Sequence, residues 1–467
     1  MLAASALLVF PLIVSLLYKE SCYLSFVLAI GIALVLGGVL LVFCKPKSTL
    51  IFAKEGFVIV SLSWLLLAVI GSLPFYVSRE IPRFADAFFE TVSGLTTTGA
   101  SILTDVESMS KGLLFWRSFT HWIGGMGVLV FVMALLPNVS GRPIHIMRAE
   151  MPGPVVGKLV PRIKDTAKIL YLIYIALTVL EMVMLLCGGM SLFESAVHAF
   201  GTAGTGGFGI LGDSIASYSP YIQWVITAFM LLFGVNFTVF YLLLIRRFRQ
   251  ALKNAELWVY FGIAAGAVAL ISLNILSLYD SFAEALRYAA FQVSSIMTTT
   301  GYATTDFNLW PQFAKTILLL LMCIGGCAGS TAGGLKVSRV VILGRMIRRE
   351  IRHMLHPRSV STVKMDGKAL DEGTLFGVGT YFAVYIACFV AIFLLLSWEP
   401  FGFETNFTAT VACFNNVGPG FGMVGPAGNY AAYSAPAKIL LSAAMLLGRL
   451  EIYPLLLFFL PTTWSKK

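Results

Sequence analysis

Long apolar stretches, separated by short polar segments, run along almost the whole chain. Stretches such as 24–44 and 57–77 consist almost entirely of uncharged residues, and each has the length of about 20 residues that a helix needs to cross a bilayer. We therefore predict an all-α integral membrane protein with about ten spans. The stretch 2–17 lacks a basic start and is followed closely by another span, so we expect a retained helix and not a signal peptide.

Composition agrees with this pattern. Hydrophobic residues make up 58% of the chain and charged residues 12%, and the mean hydropathy is +0.86. Soluble domains carry about 25% charged residues, so an ordinary soluble protein is excluded. The seven cysteines are scattered among apolar segments, which argues against a disulfide framework or a zinc site. Cys323 and Cys327 share a helix face by their spacing, and two packing residues are favoured there over a metal pair.

Positive charge is concentrated in alternate polar segments. The net charge of +10 would by itself fit a nucleic-acid-binding protein. With Met1 placed in the cytoplasm, most of the 33 lysine and arginine residues fall on the inner side, chiefly in 142–168, 246–253 and 336–368. The positive-inside rule describes this asymmetry. We therefore expect a multi-pass protein with both termini cytoplasmic, whose basic face contacts membrane lipid or a cytosolic partner and not nucleic acid.

Four segments of the chain share one order of features. Each has an apolar span, an acidic residue close behind a Phe, an amphipathic stretch too short to cross the membrane, a Gly-centred loop and a second span. Because each repeat contains two spans, all four enter the membrane in the same orientation. We therefore predict four parallel membrane–pore-loop–membrane repeats around a central pore, preceded by two extra transmembrane helices. The predicted units are 1–50 for the two N-terminal helices, 51–145 for pore repeat 1, 146–250 for repeat 2, 251–360 for repeat 3 with a broken inner helix, and 361–467 for repeat 4.

The short stretches are predicted to be re-entrant helices. Their acidic residues, Asp86, Glu194, Glu284 and Glu404, suit helix N-termini because they complement the helix dipole. Ordinary extracellular loops with Gly turns are the alternative, and four such loops in phase argue against it.

The Gly-centred loops have the composition of a cation-binding site. Irregular backbone survives at membrane depth only where it is buried or lines an aqueous cavity, and glycine allows successive carbonyls to turn towards one axis. Rings of such carbonyls replace the hydration shell of a monovalent cation. The predicted filter comprises Thr97, Thr98, Gly99, Thr205, Gly206, Gly207, Thr299, Thr300, Gly301, Asn416, Val417 and Gly418.

Two features below the predicted filter are candidates for a gate. The second span of repeat 3 is interrupted by two Gly-Gly pairs and by polar residues, which would unwind a helix; a small-residue packing face is the alternative. Arg449 lies within the last span, where an arginine usually faces an interior, and a structural pair with Glu451 or Glu181 is its alternative. The predicted gate comprises Gly325, Gly326, Gly329, Ser330, Thr331, Gly333, Gly334, Lys336 and Arg449.

Several strings together resemble the Trk/Ktr/HKT superfamily of potassium transporters. These are the Thr-Thr-Thr-Gly strings from Thr96 and Thr298, the string from Asn416 to Gly420, the string from His121 to Gly127, and the Gly-rich break. The two extra N-terminal spans make the chain more similar to the bacterial Trk-type membrane subunit than to the shorter Ktr one. The second filter departs from the pattern, because Gly206 stands where repeats 1 and 3 have Thr, which would loosen that quarter of the filter.

The resemblance implies a function and partners. It implies K⁺ as the transported ion, selected where all four filter positions are Gly, and a homodimer in the bacterial cytoplasmic (inner) membrane. It also implies a ring of cytosolic nucleotide-binding regulatory subunits of the Trk A type, and it assigns gating to the Gly-rich break and Arg449.

The leading hypothesis is K⁺ uptake through a selective, gated, channel-like pore, with no organic cofactor in this chain. A secondary transporter coupled to Na⁺ or H⁺ is the alternative, with Glu181 as the only acidic candidate for coupling away from the inner face. A membrane enzyme would need a clustered nucleophile, base or metal set, and the sequence offers none; His121 and Trp122 fit a packing face better.

Overall fold

The chain folds into helices joined by loops, as predicted. The computed structural model describes residues 1–43, 53–127, 163–359 and 361–464. One short antiparallel hairpin pairs Lys364–Met365 with Lys368–Ala369. The predicted unit boundaries near residues 50 and 145, and most of the basic segment 142–168, lie outside the described residues.

Two N-terminal helices precede the first repeat. Leu2–Leu17 and Tyr23–Phe43 pack against each other. The first also packs on the inner helix of repeat 1, where the rings of Phe10 and Phe119 lie 5.5 Å apart, and the second packs on the outer helix of that repeat. Their remaining surface is apolar and exposed, as lipid contact requires.

Each repeat contains an outer helix, a pore helix and an inner helix. The outer helices are long and apolar: Ala53–Val77, Ile163–Cys187, Ala255–Asn274 and Glu372–Leu396. The pore helices are short and buried towards their C-terminal ends: Phe84–Leu95, Leu192–Gly204, Phe282–Met297 and Phe403–Phe414. At a rise of about 1.5 Å per residue, none of these pore helices could cross a bilayer.

The inner helices begin as Lys111–Gly125, Pro220–Phe233, Gln312–Ile324 and Ala435–Arg449. Breaks follow in repeats 2, 3 and 4, and the chain resumes as Phe237–Leu244, Val337–Leu355 and Tyr453–Phe459. The break in repeat 3 was predicted, but those in repeats 2 and 4 were not. In repeat 2 the two pieces meet at 91°, and Asn236 caps the second piece by accepting a hydrogen bond from the Thr238 N–H.

Smaller elements complete the described chain. They are the short helices Phe248–Ala251 and Pro461–Trp464 and the 3₁₀ turns Leu276–Leu278, Phe307–Leu309 and Gly422–Val424. Within the described ranges, 5 helices are long and apolar enough to cross a membrane, and up to 6 if the bent pair of repeat 2 counts as one span. Among the other expected spans, Leu2–Leu17 is short, the described part of the inner helix of repeat 1 ends at Gly125, and the inner helices of repeats 2 to 4 are broken.

The repeats are arranged in a closed circle. Each pore helix packs on the outer and inner helices of its own repeat and also on the inner helix of the preceding repeat. The first pore helix completes the circle by packing on the inner helix of repeat 4. This packing confirms four parallel repeats around one axis and brings the C-terminal ends of the pore helices together.

Candidate functional site

All four pore helices end in the same left-handed turn. The first residue after the terminal turn has a positive φ of 55°, 56°, 56° or 57° in repeats 1 to 4. The next N–H reaches back five residues, as from Thr98 to the Ser93 carbonyl at 2.9 Å. The left-handed residue and this hydrogen bond are the two features of a Schellman motif. The left-handed residue here is not glycine, and a left-handed conformation of any other residue costs roughly 1–2 kcal/mol of conformational free energy. The left-handed residues are Thr97, Thr205, Thr299 and Asn416.

A glycine follows two residues later in every repeat, again with positive φ. At each of these glycines a Cβ atom would overlap the carbonyl oxygen of the residue that precedes the corresponding glycine in the next repeat. The successive contacts join Gly99 to Gly206, Gly207 to Thr300, Gly301 to Val417, and Gly418 to Thr98. We call this closed arrangement of twelve predicted residues the filter ring.

The filter ring surrounds its axis with backbone groups. Two of its threonine hydroxyls form hydrogen bonds with threonines that precede the ring. The Thr98 and Thr96 hydroxyls lie 2.8 Å apart, as do those of Thr300 and Thr298. The Asn416 amide donates to the Thr98 hydroxyl at 2.9 Å and so joins repeat 4 to repeat 1. On one side, a cavity of about 140 Å³ is bordered by all four ring glycines. The C-terminal ends of four helix dipoles, which carry partial negative charge, therefore converge on a ring of carbonyl oxygens.

Gly206 is explained by the side chain behind it. A Cβ atom at Gly206 would overlap the imidazole of His121. That imidazole is fully buried, its Nδ1 lies 2.8 Å from the Gly94 carbonyl, and its Nε2 accepts a hydrogen bond from the Phe208 N–H at 3.3 Å. The expected loosening is therefore offset, because the His121 imidazole packs directly against Gly206 and accepts a hydrogen bond from Phe208 in the same loop.

We expect Gly206→Thr to lower the melting temperature of the purified protein by a few degrees, because overpacking a buried site costs about 1–3 kcal/mol. The destabilisation of Gly206→Thr with His121→Ala should be smaller than the sum of the two single effects, since the imidazole is the group that clashes. Gly209→Thr is a control, because its Cβ would lie 3.5 Å from the nearest atom, in His198. Additive effects in the double variant would contradict this assignment.

A buried ion pair supports the ring from behind. The Arg117 Nε donates to the Glu90 carboxylate at 2.6 Å, and both side chains are buried. Arg117 also donates to the Gly209 carbonyl at 3.1 Å and lies 3.5 Å from the Phe208 ring centroid, while Glu90 accepts from the Ile102 N–H. Sequence analysis missed this pair, although a charged residue inside an apolar stretch was an available signal.

The interrupted inner helix of repeat 3 places a loop, residues 325–336, directly beneath the filter ring. The Gly333 N–H donates to the Thr299 hydroxyl at 2.6 Å, and a Cβ atom at Gly333 would lie 2.5 Å from the Asn415 carbonyl. The Cys327 N–H donates to the Gly234 carbonyl at 2.9 Å. The loop thus contacts repeats 2, 3 and 4, and Gly325, Gly329 and Gly334 adopt positive φ. It is an unwound segment, and a continuous small-residue helix face is ruled out.

Arg449 bridges the remaining side of the axis. Its guanidinium donates to the Thr331 carbonyl of the loop at 2.8 Å and to the Gly124 and Gly125 carbonyls of the first inner helix at 2.5 and 2.6 Å. It also reaches the Thr97 hydroxyl at 3.3 Å. The arginine therefore connects repeats 1, 3 and 4 immediately below the filter ring.

Two other charged residues of this region, Glu451 and Lys336, also have defined partners. Glu451, considered above as a partner for Arg449, has Arg339 as its ion-pair partner among the described residues. The Arg339 guanidinium also lies 3.9 Å from the Tyr381 ring centroid. Lys336 is buried, has a φ of 77°, and donates to the Ala332 carbonyl of its own loop. Lys336 thus ties the end of the loop to its middle.

A buried carboxylate that sequence analysis missed also holds the loop. Glu256, in the first turn of the outer helix of repeat 3, is 4% exposed. One of its oxygens accepts from the Ala328 N–H at 2.7 Å and from the Ser338 N–H at 3.0 Å. Ala328 lies within the loop and Ser338 lies in the first turn of the helix that follows, so Glu256 ties the loop to the start of that helix.

The chain resembles known proteins over almost its whole length. The family model described as "TrkH: Cation transport protein" matches residues 24–466. "Trk system potassium uptake protein TrkH" of Salmonella typhimurium is 38% identical, covering 99% of this chain and 96% of that protein. TrkG of Escherichia coli K12, also described as a Trk system potassium uptake protein, is 34% identical, covering 97% of this chain and 94% of that protein.

A solved structure shows the same arrangement of the chain. The crystal structure of the potassium transporter TrkH from Vibrio parahaemolyticus matches with a TM-score of 0.88 and 34% identity, covering 99% of this chain and 97% of that one. Family, relatives and fold agree with one another and with the closed circle of four repeats. This chain belongs to the TrkH family of cation transport proteins.

Proposed function

We propose that this protein takes up potassium ions through a gated, channel-like pore in the bacterial cytoplasmic membrane, with its N- and C-termini in the cytoplasm. The observation that carries this proposal is the filter ring, in which each repeat's glycine lies against a carbonyl of the next repeat. Such a ring offers neutral oxygens at close quarters, which suits a monovalent cation stripped of water. The relatives named as potassium uptake proteins support K⁺ as that cation.

The loop 325–336 and Arg449 form the gate of this pathway. Hydrogen bonds from the loop and the guanidinium reach all four repeats immediately below the filter ring. A guanidinium at this position repels a cation that leaves the filter. The arrangement is therefore a closed state, and conduction requires the loop and Arg449 to separate.

Glu256 gives a test of the loop's attachment. We expect Glu256→Ala to raise K⁺ flux, because the closed loop then has two buried N–H groups without an acceptor, at about 1–3 kcal/mol each. Glu256→Gln keeps one acceptor oxygen and should leave flux closer to that of the unaltered protein. Flux is measured with a K⁺-sensitive dye in proteoliposomes. An alanine variant that is well folded and conducts like the parent would remove Glu256 from the gate.

The proposed assembly is a homodimer bound to a ring of cytosolic nucleotide-binding subunits of the Trk A type. The chain itself has a basic surface suited to such a partner or to anionic lipid, including Arg348, Arg352 and Lys253. Nucleotide binding in the partner would then supply the energy difference that opens the gate.

Coupled transport is the second candidate, and one residue favours it. Glu181 is fully buried in the outer helix of repeat 2 and forms no ion pair with any described residue. A proton-coupled carrier needs such a group away from the bulk solvent. If Glu181→Gln abolished the pH dependence of uptake, coupling to protons would replace the passive pore.

The proposed function is tested with the purified protein in liposomes, without a proton or Na⁺ gradient. Selective flux of K⁺ and Rb⁺ over Na⁺ down an imposed gradient is expected once the gate is open. Adding the nucleotide-binding partner should increase that flux. If neither the parent protein, with and without partner, nor an Arg449→Ala variant conducts, the passive pore is wrong and the coupled mechanism leads.

A further inference from the structure

A basic pocket lies at the far end of the inner helix that leaves the loop. Its volume is about 690 Å³. One wall is the helix Val337–Leu355, another is the segment 361–367 with its hairpin, and the third is the start of the outer helix of repeat 3. The pocket lies on the loop side of the filter ring, opposite the cavity that the four ring glycines border. On the proposed topology this side is the cytoplasmic membrane surface.

Positive charge in this pocket exceeds the negative charge that could balance it. The lining includes the basic residues Lys253, Arg345, Arg348, Arg349, Arg352 and Lys364, with Asp366 as its acidic residue. Glu372, outside the lining, pairs with Arg349 at 2.6 Å. Arg348 and Arg352, one helical turn apart, form no ion pair with any described residue.

The walls are fixed by contacts and are not loose chain. Arg345 donates to the Lys364 carbonyl, and the Ala255 N–H donates to the Asp366 carboxylate at 2.8 Å. Asp366 and Gly367 have φ of 50° and 81°, as a tight Asp-Gly hairpin turn requires. Behind the hairpin, Val363 packs in a small buried cluster with Ile342. The basic side chains are therefore held around a defined space.

The same helix carries an apolar stripe on its other face. Ile347, Ile351 and Met354 are 61%, 54% and 72% exposed, at spacings of four and three residues that place them on one side. An amphipathic helix with a basic face and an apolar face lies in the plane of the membrane interface. At that depth the pocket faces the phosphate groups of lipids as well as small anions from the cytosol.

We propose that this basic pocket binds a phosphate-bearing anion, held chiefly by Arg348 and Arg352. Arginine suits this role because its planar guanidinium donates two parallel hydrogen bonds to a phosphate. The source is either the headgroup of an anionic phospholipid or free phosphate. The helix Val337–Leu355 continues from the loop 325–336, so an anion bound in the pocket also biases the position of that loop. The effect on the loop rests on the proposed function, whereas binding of the anion does not.

Binding is tested on the intact purified protein. Native mass spectrometry measures retention of phosphatidylglycerol against phosphatidylcholine, and calorimetry measures binding of inorganic phosphate and pyrophosphate. The double variant Arg348→Gln with Arg352→Gln should lose at least about tenfold in affinity. Its matched control is Arg249→Gln with Arg358→Gln, which removes the same charge from exposed positions outside the pocket. If the double variant does not fold, Lys364→Gln on the hairpin is expected to weaken the same binding.

The outcomes separate the sources. If the double variant loses binding of phosphatidylglycerol only, the pocket is a lipid site. If it loses binding of phosphate or pyrophosphate only, the pocket is a site for a soluble anion. No binding by the unaltered protein, or equal losses in the pocket variant and the control, overturns the proposal. Retained binding in a protein that never conducts K⁺ would leave the pocket standing and overturn the proposed function.

Discussion

Replacing Arg449 by alanine will raise K⁺ flux in reconstituted protein by roughly 10- to 100-fold at a fixed gradient. The reason is the hydrogen bond from Arg449 to the Thr331 carbonyl at 2.8 Å, which joins two elements that, in the proposed function, separate for ions to pass. A hydrogen bond from a charged donor contributes about 1.5–3 kcal/mol, and each 1.4 kcal/mol changes an equilibrium tenfold. Removing the charge also removes the repulsion of a cation below the filter.

The measurement is the initial rate of K⁺ entry into liposomes at matched protein density. Arg358→Ala, at an exposed position beyond the end of the helix Val337–Leu355, is the control for loss of a positive charge and should conduct like the parent. Arg449→Lys keeps the charge but cannot reach Thr331, Gly124 and Gly125 together, so an intermediate flux is expected. Parental flux in a correctly assembled alanine variant would remove Arg449 from the gate.

Gly99→Ser will lower the permeability of K⁺ relative to Na⁺ by about tenfold or more, which corresponds to about 1.4 kcal/mol. A Cβ atom at Gly99 would overlap the Gly206 carbonyl, and the φ of 80° is unfavourable for any side chain. Either the carbonyl of repeat 2 or the backbone of repeat 1 must shift. Both movements change the distances between the ring oxygens that, in the proposed function, select between the two ions.

Reversal potentials in planar bilayers under K⁺ and Na⁺ gradients measure this ratio, best in the background of an open-gate variant. Gly209→Ser is the matched control, because this glycine lies just beyond the filter ring and its Cβ would be 3.5 Å from its nearest neighbour. The control should keep the parental ratio. An unchanged ratio in Gly99→Ser would show that selection occurs elsewhere.

Local pattern sufficed for the architecture and for the positions of the four glycine loops. The length of apolar stretches predicts spans, and the repeated glycine with its polar neighbours identified Gly99, Gly207, Gly301 and Gly418 before any contact was known. The Gly-rich break in repeat 3 was also predicted from the sequence, because paired glycines destabilise a helix whatever surrounds them. The breaks in repeats 2 and 4 were not predicted, because contacts with the repeat 3 inner segment accompany both. In repeat 2 the Cys327 N–H donates to the Gly234 carbonyl and the Phe237 N–H donates to the Gly329 carbonyl. In repeat 4 Glu451, which has a positive φ, pairs with Arg339.

Contacts between distant residues were decided by the tertiary structure alone. The sequence determined that four loops exist and that each needs a glycine; it could not show that each glycine lies against the next repeat's carbonyl, which follows from the circular packing of the pore helices. It offered Glu451 and Glu181 as partners for Arg449, whereas the folded chain gives Arg449 the carbonyls of Thr331, Gly124 and Gly125. Hydrophobic periodicity and backbone propensity are local properties and can be read along the chain. The pairing of a buried charge depends on which helix ends meet, and only the folded chain decides that.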